Sequence, residues 1–480
     1  MRARLLAPEN RKWWTLLSVS FGLFMIMLDN TVVNVALPSI EKALNVSQSE
    51  LEWVVVAYAL TFATFMLTGG KLADYFGRRR LFIIGLVVFT ASSLACGLAP
   101  NAGFLIGART VQGVGAAIMN PATLGIITAT FPPRQRGMAI GIWAGVSAMA
   151  LAIGPLVGGL LTEKVDWSWI FFINLPVGLF GIVVARWAID ESRDTSHEQR
   201  LDIPGLASSA VGLFALTYAL IEANAYGWTS TRILVLFAFA ALALTTFVLL
   251  ELHQRVPMLD LSLFKNATFA GANAAMGLVA LAMFGIFFFN SLFLQHILGY
   301  SPIQTGALFL PMTLLIILIA PLAGRLSDRI GSRLLIGSGM ALVTVSLILF
   351  AQLDQNSDFW NILPGLIVGG LGMALTMAPT TAAALSAVPN DKAGVGSAVL
   401  NAFRQVGGSL GIAIMGALVA SKIHTGPRDA RYPSEFVSGY HLGLHVAAGF
   451  ALTGAVLAVL TVRKPRHAEE REPKGAFEAA

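Results

Sequence analysis

The sequence predicts an all-α membrane protein with fourteen spanning helices. Three observations predict it: an apolar composition with little charge, fourteen apolar segments joined mostly by short connections, and basic residues crowded into alternate connections. Of 480 residues, 56% are hydrophobic and only 12% charged, against about 25% charged in a soluble domain. So little charge cannot solvate the surface of a chain this long. That excludes a soluble enzyme, a disordered chain and a secreted disulfide scaffold. A spanning helix needs about 20 apolar residues, and fourteen of them account for an apolar fraction of this size. The single cysteine, Cys96, can form neither an intramolecular disulfide nor a Cys-rich metal site. The net charge of +6 reads as basic cytoplasmic loops rather than as a nucleic-acid surface.

The segments lie at about 14–37, 51–70, 81–99, 104–126, 138–161, 169–188, 204–223, 231–251, 268–296, 303–323, 334–353, 361–383, 394–420 and 443–462. The first is too long for a signal-peptide core and lacks a small-residue cleavage pattern, so it reads as a spanning helix. An even number of spans puts both termini on one side. With the N-terminus inside, 24 Lys and Arg fall in inner connections and tails and 6 in outer ones, while Arg109 and Arg404 lie within helices. The positive-inside rule then predicts a bacterial cytoplasmic membrane protein with both termini cytoplasmic. A single missed helix would scramble this alternation, so the tally also supports the count.

The pattern G-[KR]-L-x-D-x-x-G-x-R occurs twice, at Gly70–Arg79 and at Gly324–Arg333, an offset of 254 residues. Eight spans separate the copies, which places them on the same side, as in parallel halves related about the membrane normal. The expected organisation is a six-helix bundle over 1–190, two extra helices over 191–262, a second six-helix bundle over 263–462 and a cytoplasmic tail over 463–480.

Further boxes follow in order. The first helix carries Leu28-Asp29-Asn30-Thr31 running to Leu37-Pro38, and the fourth carries Arg109-Thr110-Val111-Gln112-Gly113. The fifth carries Gly154-Pro155-Leu156-Val157-Gly158-Gly159, the sixth opens Trp167-Ser168-Trp169, and the thirteenth carries Asn401-Ala402-Phe403-Arg404-Gln405. With the Gly70 box, these resemble the major facilitator superfamily along most of the chain, and within it the fourteen-helix drug/proton antiporters of the EmrB/QacA type. The resemblance implies the major facilitator fold: two six-helix bundles around a cavity open alternately to each side, here with two extra linker helices. It also implies proton-driven export, which the fifth-helix box accompanies. It does not specify the cargo.

Asp29 is the main candidate for chemistry. It lies about eight residues below the outer end of its segment, roughly 12 Å deep. An ionised Asp near the bilayer centre costs about 2.5–3.5 kcal/mol, so it must face a cavity, pair or take up a proton. Arg109 sits at a similar depth and can pair with it directly or through Gln112, one turn on. The plainer readings are a structural hydrogen bond for Asp29 and a packed arginine for Arg109. Arg404 lies near mid-membrane with no acid deep in the last six helices to neutralise it. It can bond backbone carbonyls, meet an anionic group of a substrate or reach Asp29. Asn34, Gln112, Asn120, Asn273 and Asn290 are the other cavity candidates, because exposing amides to lipid is costly. Phe287, Phe288 and Phe289, near Met283, can place only one or two rings on a cavity. Glu222 and His296 lie near outer helix ends and read as interfacial.

For gating, Gly70, Asp74, Gly77, Arg78 and the second-copy Asp328 belong to the inner boxes. There Asp74 can pair with a nearby arginine, Arg136 being one candidate. Gly154, Pro155, Gly158 and Gly159 allow close helix approach and a bend that would seal the outer side. Generic tight packing is the plainer reading. The expected function is a proton-coupled multidrug exporter of lipophilic cations or neutral amphiphiles. An exporter of one metabolite, lipid, siderophore or antibiotic is the alternative on the same fold. An antiporter-like subunit of a redox-driven proton pump would need lysines in helix cores, where none falls. No metal cluster, triad or P-loop G-x-x-x-x-G-K-[ST] occurs, so no enzyme activity, cofactor or nucleotide is expected. An ion gradient must then drive transport, and the membrane potential supplies about 2.3 kcal/mol per charge per 100 mV. Expected partners are protons, small amphiphiles and the bilayer, around a monomer. A periplasmic adaptor would join them in a double-membrane bacterium.

Overall fold

The computed structural model describes residues 10–193, 202–254, 257, 259–388, 393–426 and 429–463. Among these residues every long element is a helix. In chain order they are α1 (Arg11–Leu44), α2 (Gln48–Phe76), α3 (Arg78–Gly97), α4 (Ala102–Thr130), α5 (Pro133–Lys164), α6 (Trp169–Phe172 continued by Asn174–Ala188), α7 (Ile203–Tyr226) and α8 (Thr231–His253). Then follow α9 (Ala267–Leu292 with a π turn, Phe293–Ile297), α10 (Pro302–Leu308 continued by Leu310–Ile330), α11 (Ser332–Phe350), α12 (Phe359–Ser386), α13 (Ala393–Ala420) and α14 (Tyr432–Thr461). Thirteen of them contain stretches long and apolar enough to cross a membrane among the described residues. The remaining one, α5, is 32 residues long.

Several helices run past the apolar segments that announce them. Helical hydrogen bonding continues into polar ends until a cap or a glycine stops it. Ser47 starts α2 in a capping box with Glu50, and Asp358 starts α12 in one with Asn361. Asn101 caps α4 by accepting from Phe104 N at 2.9 Å. The break in α10 precedes Pro311, which has no N–H to continue the ladder.

The two sequence copies end in the same backbone device. Gly77 has φ 111° and separates α2 from α3, and Gly331 has φ 92° and separates α10 from α11. A side chain there is strained by about 1–3 kcal/mol. At Gly77 a Cβ would also meet the Glu191 carboxylate, which accepts from the Arg79 and Arg80 amides at 3.1 and 3.3 Å. Gly77→Ala is therefore expected to lower the thermal unfolding midpoint and the yield of inserted protein. A midpoint equal to wild type would refute that account of the box.

α1 to α6 pack around one another, and α9 to α14 do the same. α7 and α8 pair with each other, and α7 leans on both groups. α7 meets α2 through Trp53, whose ring lies 5.5 Å from Phe214 and 6.0 Å from Tyr218. It meets α13 through Asn224 Nδ2, which donates to Ala417 O at 2.5 Å. At the end that carries the N-terminus of α1, Lys71 Nζ donates to Pro257 O at 2.5 Å, and Gln254 Nε2 to Asp202 Oδ1 at 2.8 Å. α8 exposes Leu242, Leu249 and Leu252, as a helix facing lipid does.

The two groups touch at one end, the end away from the N-terminus of α1. Gln295 Nε2 of α9 donates to Val35 O of α1 at 2.8 Å, and His296 Nε2 lies 3.4 Å from Glu41. Glu52 of α2 is seated against Gly416 of α13. Ile303 N of α10 donates to Glu163 Oε2 of α5 at 3.1 Å. At the opposite end, Gly141 and Gly145 of α5 have open space beside them, and Met138, Ile142 and Met149 are exposed. The two groups of helices are thus closed against each other at the end away from the N-terminus of α1.

Candidate functional site: a buried ion pair beneath a helix seam

The sequence places Arg109 and Gln112 one turn apart on α4, so both point the same way. Gly113 follows them, and any side chain there would run into Thr61 and the Tyr58 carbonyl. The glycine lets α2 approach, which brings Val54 and Tyr58 onto Arg109. Asp29 comes from the middle of α1. Its side chain is 0% exposed and that of Arg109 is 1% exposed.

Arg109 Nη1 pairs directly with Asp29 Oδ2. Gln112 closes a ring of contacts: its Nε2 donates to Asp29 Oδ1 at 3.0 Å and its Oε1 accepts from Arg109 Nη1 at 2.8 Å. Arg109 Nε donates to Val54 O at 3.0 Å. The guanidinium lies 4.2 Å from the Tyr58 ring centroid and 5.8 Å from that of Phe171. Cys96 Sγ approaches Gln112 Oε1 at 3.6 Å. Of the two routes open from sequence, direct and through Gln112, the molecule uses both.

This arrangement can exist in two charge states. With Asp29 ionised, the pair is neutral and its donors and acceptors are matched, which a buried pair requires. With a proton on Asp29, the guanidinium still holds Val54 O, Gln112 and two ring faces. Arg109 is therefore held by contacts independent of the carboxylate as well as by Asp29.

The α5 box lies directly above. Gly154 faces Thr31, two residues from Asp29, and Gly158 lies on the backbone of Val32. Gly159 abuts the Pro302 carbonyl of α10, and Gly306 of α10 abuts the Pro155 carbonyl. One face of the box grips α1 beside the ion pair, and the other closes the seam with the opposite group of helices.

The inner box is organised differently from one sequence expectation. Asp74 pairs with Arg78 at 2.8 Å rather than with Arg136. One helical turn joins Asp74 to Arg78, while Arg136 Nε donates to Phe131 O at 3.1 Å. Arg78 also reaches Gly125 O of α4 at 3.4 Å, and Gly70 lies against Pro121. The Asp328 side chain lies outside the described residues.

The amide candidates do not converge. Asn34 Nδ2 donates to Asn30 O at 3.1 Å, within its own helix, and is half-buried near the ion pair. Asn120 is buried beside Pro121. Asn273 Nδ2 donates to Phe269 O at 2.8 Å within α9. Asn290 accepts from the Tyr440 hydroxyl, in the outer part of the second group. Phe288 and Phe289 are buried, and Phe287 packs on Phe309. His296 lies in the seam, 3.4 Å from Glu41, and Glu222 lies near the end of α7. Tyr58 and Glu52 carry no signal in the sequence: one is a tyrosine among aliphatics, the other an acid near the start of a helix. Only the packing of α2 against α4 and α13 reveals them.

Comparison with known proteins decides the family. The sequence profile described as Major Facilitator Superfamily matches residues 19–412, and matches again over 275–479. The chain belongs to the major facilitator superfamily. It is 38% identical over 408 residues to the multidrug resistance protein Stp of Mycobacterium tuberculosis strain H37Rv, covering 85% of this chain and 76% of that one. It is 37% identical to the puromycin resistance protein pur8 of Streptomyces alboniger, covering 94% and 91%. It is 33% identical to the tetracenomycin C resistance and export protein of Streptomyces glaucescens, covering 97% and 94%. This superfamily member thus groups with drug-resistance transporters, and it is a multi-pass membrane protein. Its fold matches a solved bacterial homologue of the human lysosomal transporter Spinster, in an inward-facing, unoccupied conformation, with a TM-score of 0.68 at 17% identity, covering 94% of this chain and 97% of that one.

Proposed function

We propose that this chain exports small amphiphilic drug-like molecules, lipophilic cations and neutral compounds among them, in exchange for protons. The observation that carries the reading is the fully buried Asp29–Arg109–Gln112 cluster, seated directly under a closed seam between the two groups of helices. A proton-exchanging carboxylate beside a gate is what couples an ion gradient to alternating access. The named relatives support drugs as cargo. In this reading the end that carries the N-terminus and the open cavity is cytoplasmic, in agreement with the 24 to 6 distribution of basic residues. The residues 1–190 and 263–462 rock about the cavity, with 191–262 as a linker. The protein works as a monomer without cofactor or enzymatic step, and a periplasmic adaptor serves it where an outer membrane exists.

In inverted vesicles with an imposed proton gradient, a pH-sensitive dye is expected to report proton release when amphiphiles are added. Cargo uptake driven by a sodium gradient alone, with no proton release, would remove protons as the coupling ion. Silence across a broad panel, with release by one natural product, would replace the multidrug reading with export of a single cargo.

A further inference from the structure

The seam between the two groups of helices buries a carboxylate that the ion pair does not use. Glu52 stands near the start of α2 and is 2% exposed. It fills the space that a side chain at Gly416 of α13 would take, since a Cβ there would overlap Cδ and both carboxylate oxygens. The next residue of α13, Ala417, accepts from Asn224 Nδ2 of α7. The next residue of α2, Trp53, packs on Phe214 and Tyr218 of α7. Glu52 is thus enclosed where α2, α7 and α13 meet. The enclosure gives it little support. Gln48 Nε2 donates to Glu52 Oε1 at 3.1 Å, and among the described residues no cation forms an ion pair with it. The charged and titratable groups on the helices packed against α2 are engaged elsewhere or stand apart. Glu41 of α1 lies 3.4 Å from His296, Cys96 of α3 lies against Gln112, and Arg109 of α4 holds Asp29. On α7, Tyr218 accepts from Arg232 at 2.7 Å, and Glu222 is half-buried two residues before Asn224. Lys422 is exposed beyond the end of α13.

An ionised carboxylate sealed from water with one amide donor is costly, and a proton removes the cost. Opening the seam separates α2 from α13, lifts Gly416 off the carboxylate and returns it to water. The open and closed states then bind different numbers of protons. We propose that Glu52 is a second proton-exchanging carboxylate, loaded at the seam, and that the seam closes over it with the proton bound. The proton passes from water in the open seam to a Glu52 oxygen, and the neutral acid is what α13 covers. This rests on the export reading above and adds to it. With the seam end outside, a proton taken from outside becomes a condition for closing that end. α2 carries both proton sites: Val54, two residues after Glu52, holds Arg109 Nε through its carbonyl. A shift of this end of α2 therefore acts on the Asp29 pair.

The test follows the seam itself and needs no cargo. Nitroxide labels are placed at Ala43→Cys of α1 and Ser421→Cys just beyond α13, both exposed at the seam end and on opposite groups of helices. The background is Cys96→Ala, and the full-length protein sits in nanodiscs. Pulsed EPR distances give the ratio of closed to open molecules between about pH 8 and pH 5, above the ordinary carboxylate range. With Glu52 present, the ratio is expected to rise as pH falls, by up to about tenfold per pH unit, the slope of one proton. Glu52→Gln should hold the ratio near its low-pH value throughout, and Glu52→Asp should keep a slope. Glu52→Met, uncharged and of similar length, should behave as Glu52→Gln does and decides the matter should that protein not survive purification. A ratio independent of pH with Glu52 present overturns the proposal. So does a slope that Asp29→Asn abolishes and Glu52→Gln retains. Either result leaves cargo-driven proton release through Asp29 standing. An intact Glu52-dependent slope without any cargo-driven release in the vesicle assay overturns export instead, and leaves Glu52 as a proton-linked seam residue.

Discussion

Asp29→Asn abolishes cargo-driven proton release in inverted vesicles, in an otherwise inserted and folded protein: this is the expected result with the largest functional effect. Asparagine keeps the shape and one acceptor for Gln112 and Arg109 but cannot exchange a proton. Breaking a buried ion pair by removing one partner costs about 3–5 kcal/mol, because the other charge is left uncompensated. Here the loss falls at the lower end, since Arg109 keeps Val54 O, Gln112 and the Tyr58 ring. Asp29→Asn should therefore lower the thermal midpoint as well as abolish coupling. A second substitution separates the two effects: Arg109→Met in the Asp29→Asn background removes the stranded charge. Stability should recover toward wild type and transport should not. Proton release equal to wild type from a well-expressed Asp29→Asn protein would take the coupling role away from Asp29. Glu222 and His296 would become the acids to test next.

Gly159→Leu carries the second large effect. The glycine abuts the Pro302 carbonyl across the outer seam, where even a Cβ overlaps backbone. Neither α5 nor α10 can yield cheaply at that point, because Pro155 and Gly306 form the reciprocal contact one turn away. Overpacking of this kind costs about 1–3 kcal/mol, and the cost applies only to the outer-closed state. A difference of that size moves the balance between closed and open by roughly 5- to 150-fold. Export should fall accordingly, with the protein held open to the outside. The reporter is Val35→Cys, at a position buried where α1 meets α9, in a background where Cys96→Ala removes the native thiol. A membrane-impermeant maleimide should label this cysteine severalfold faster in the Gly159→Leu protein. Unchanged labelling with unchanged export would mean that the α5 box serves packing alone.

The two predictions draw on different kinds of information. Asp29, Arg109 and Gln112 stand out in the sequence because polar residues in apolar helices are expensive and few. The glycines of the α5 box stand out as a cluster. Their partners do not. Pro302 and Gly306 lie some 150 residues away in an unremarkable stretch, and Tyr58 reads as one aromatic among many. The pairing of Asp74 with Arg78 rather than Arg136 follows an i, i+4 spacing that is legible in the sequence.

What the sequence determined by itself was the class and the frame. The apolar segments, the distribution of basic residues and the repeated box specify a polytopic helical protein of parallel halves, because bilayer thickness and backbone hydrogen bonding leave few ways to span a membrane. It also named the residues too costly to be incidental. Only the tertiary structure decided which charges are paired and which is not. It joined Asp29 to Arg109, left Arg404 without a carboxylate partner among the described residues, and closed the seam between α5 and α10. The reason is physical: burial and pairing depend on contacts between helices far apart in the chain, and helical periodicity constrains only which residues share a face, not which faces meet.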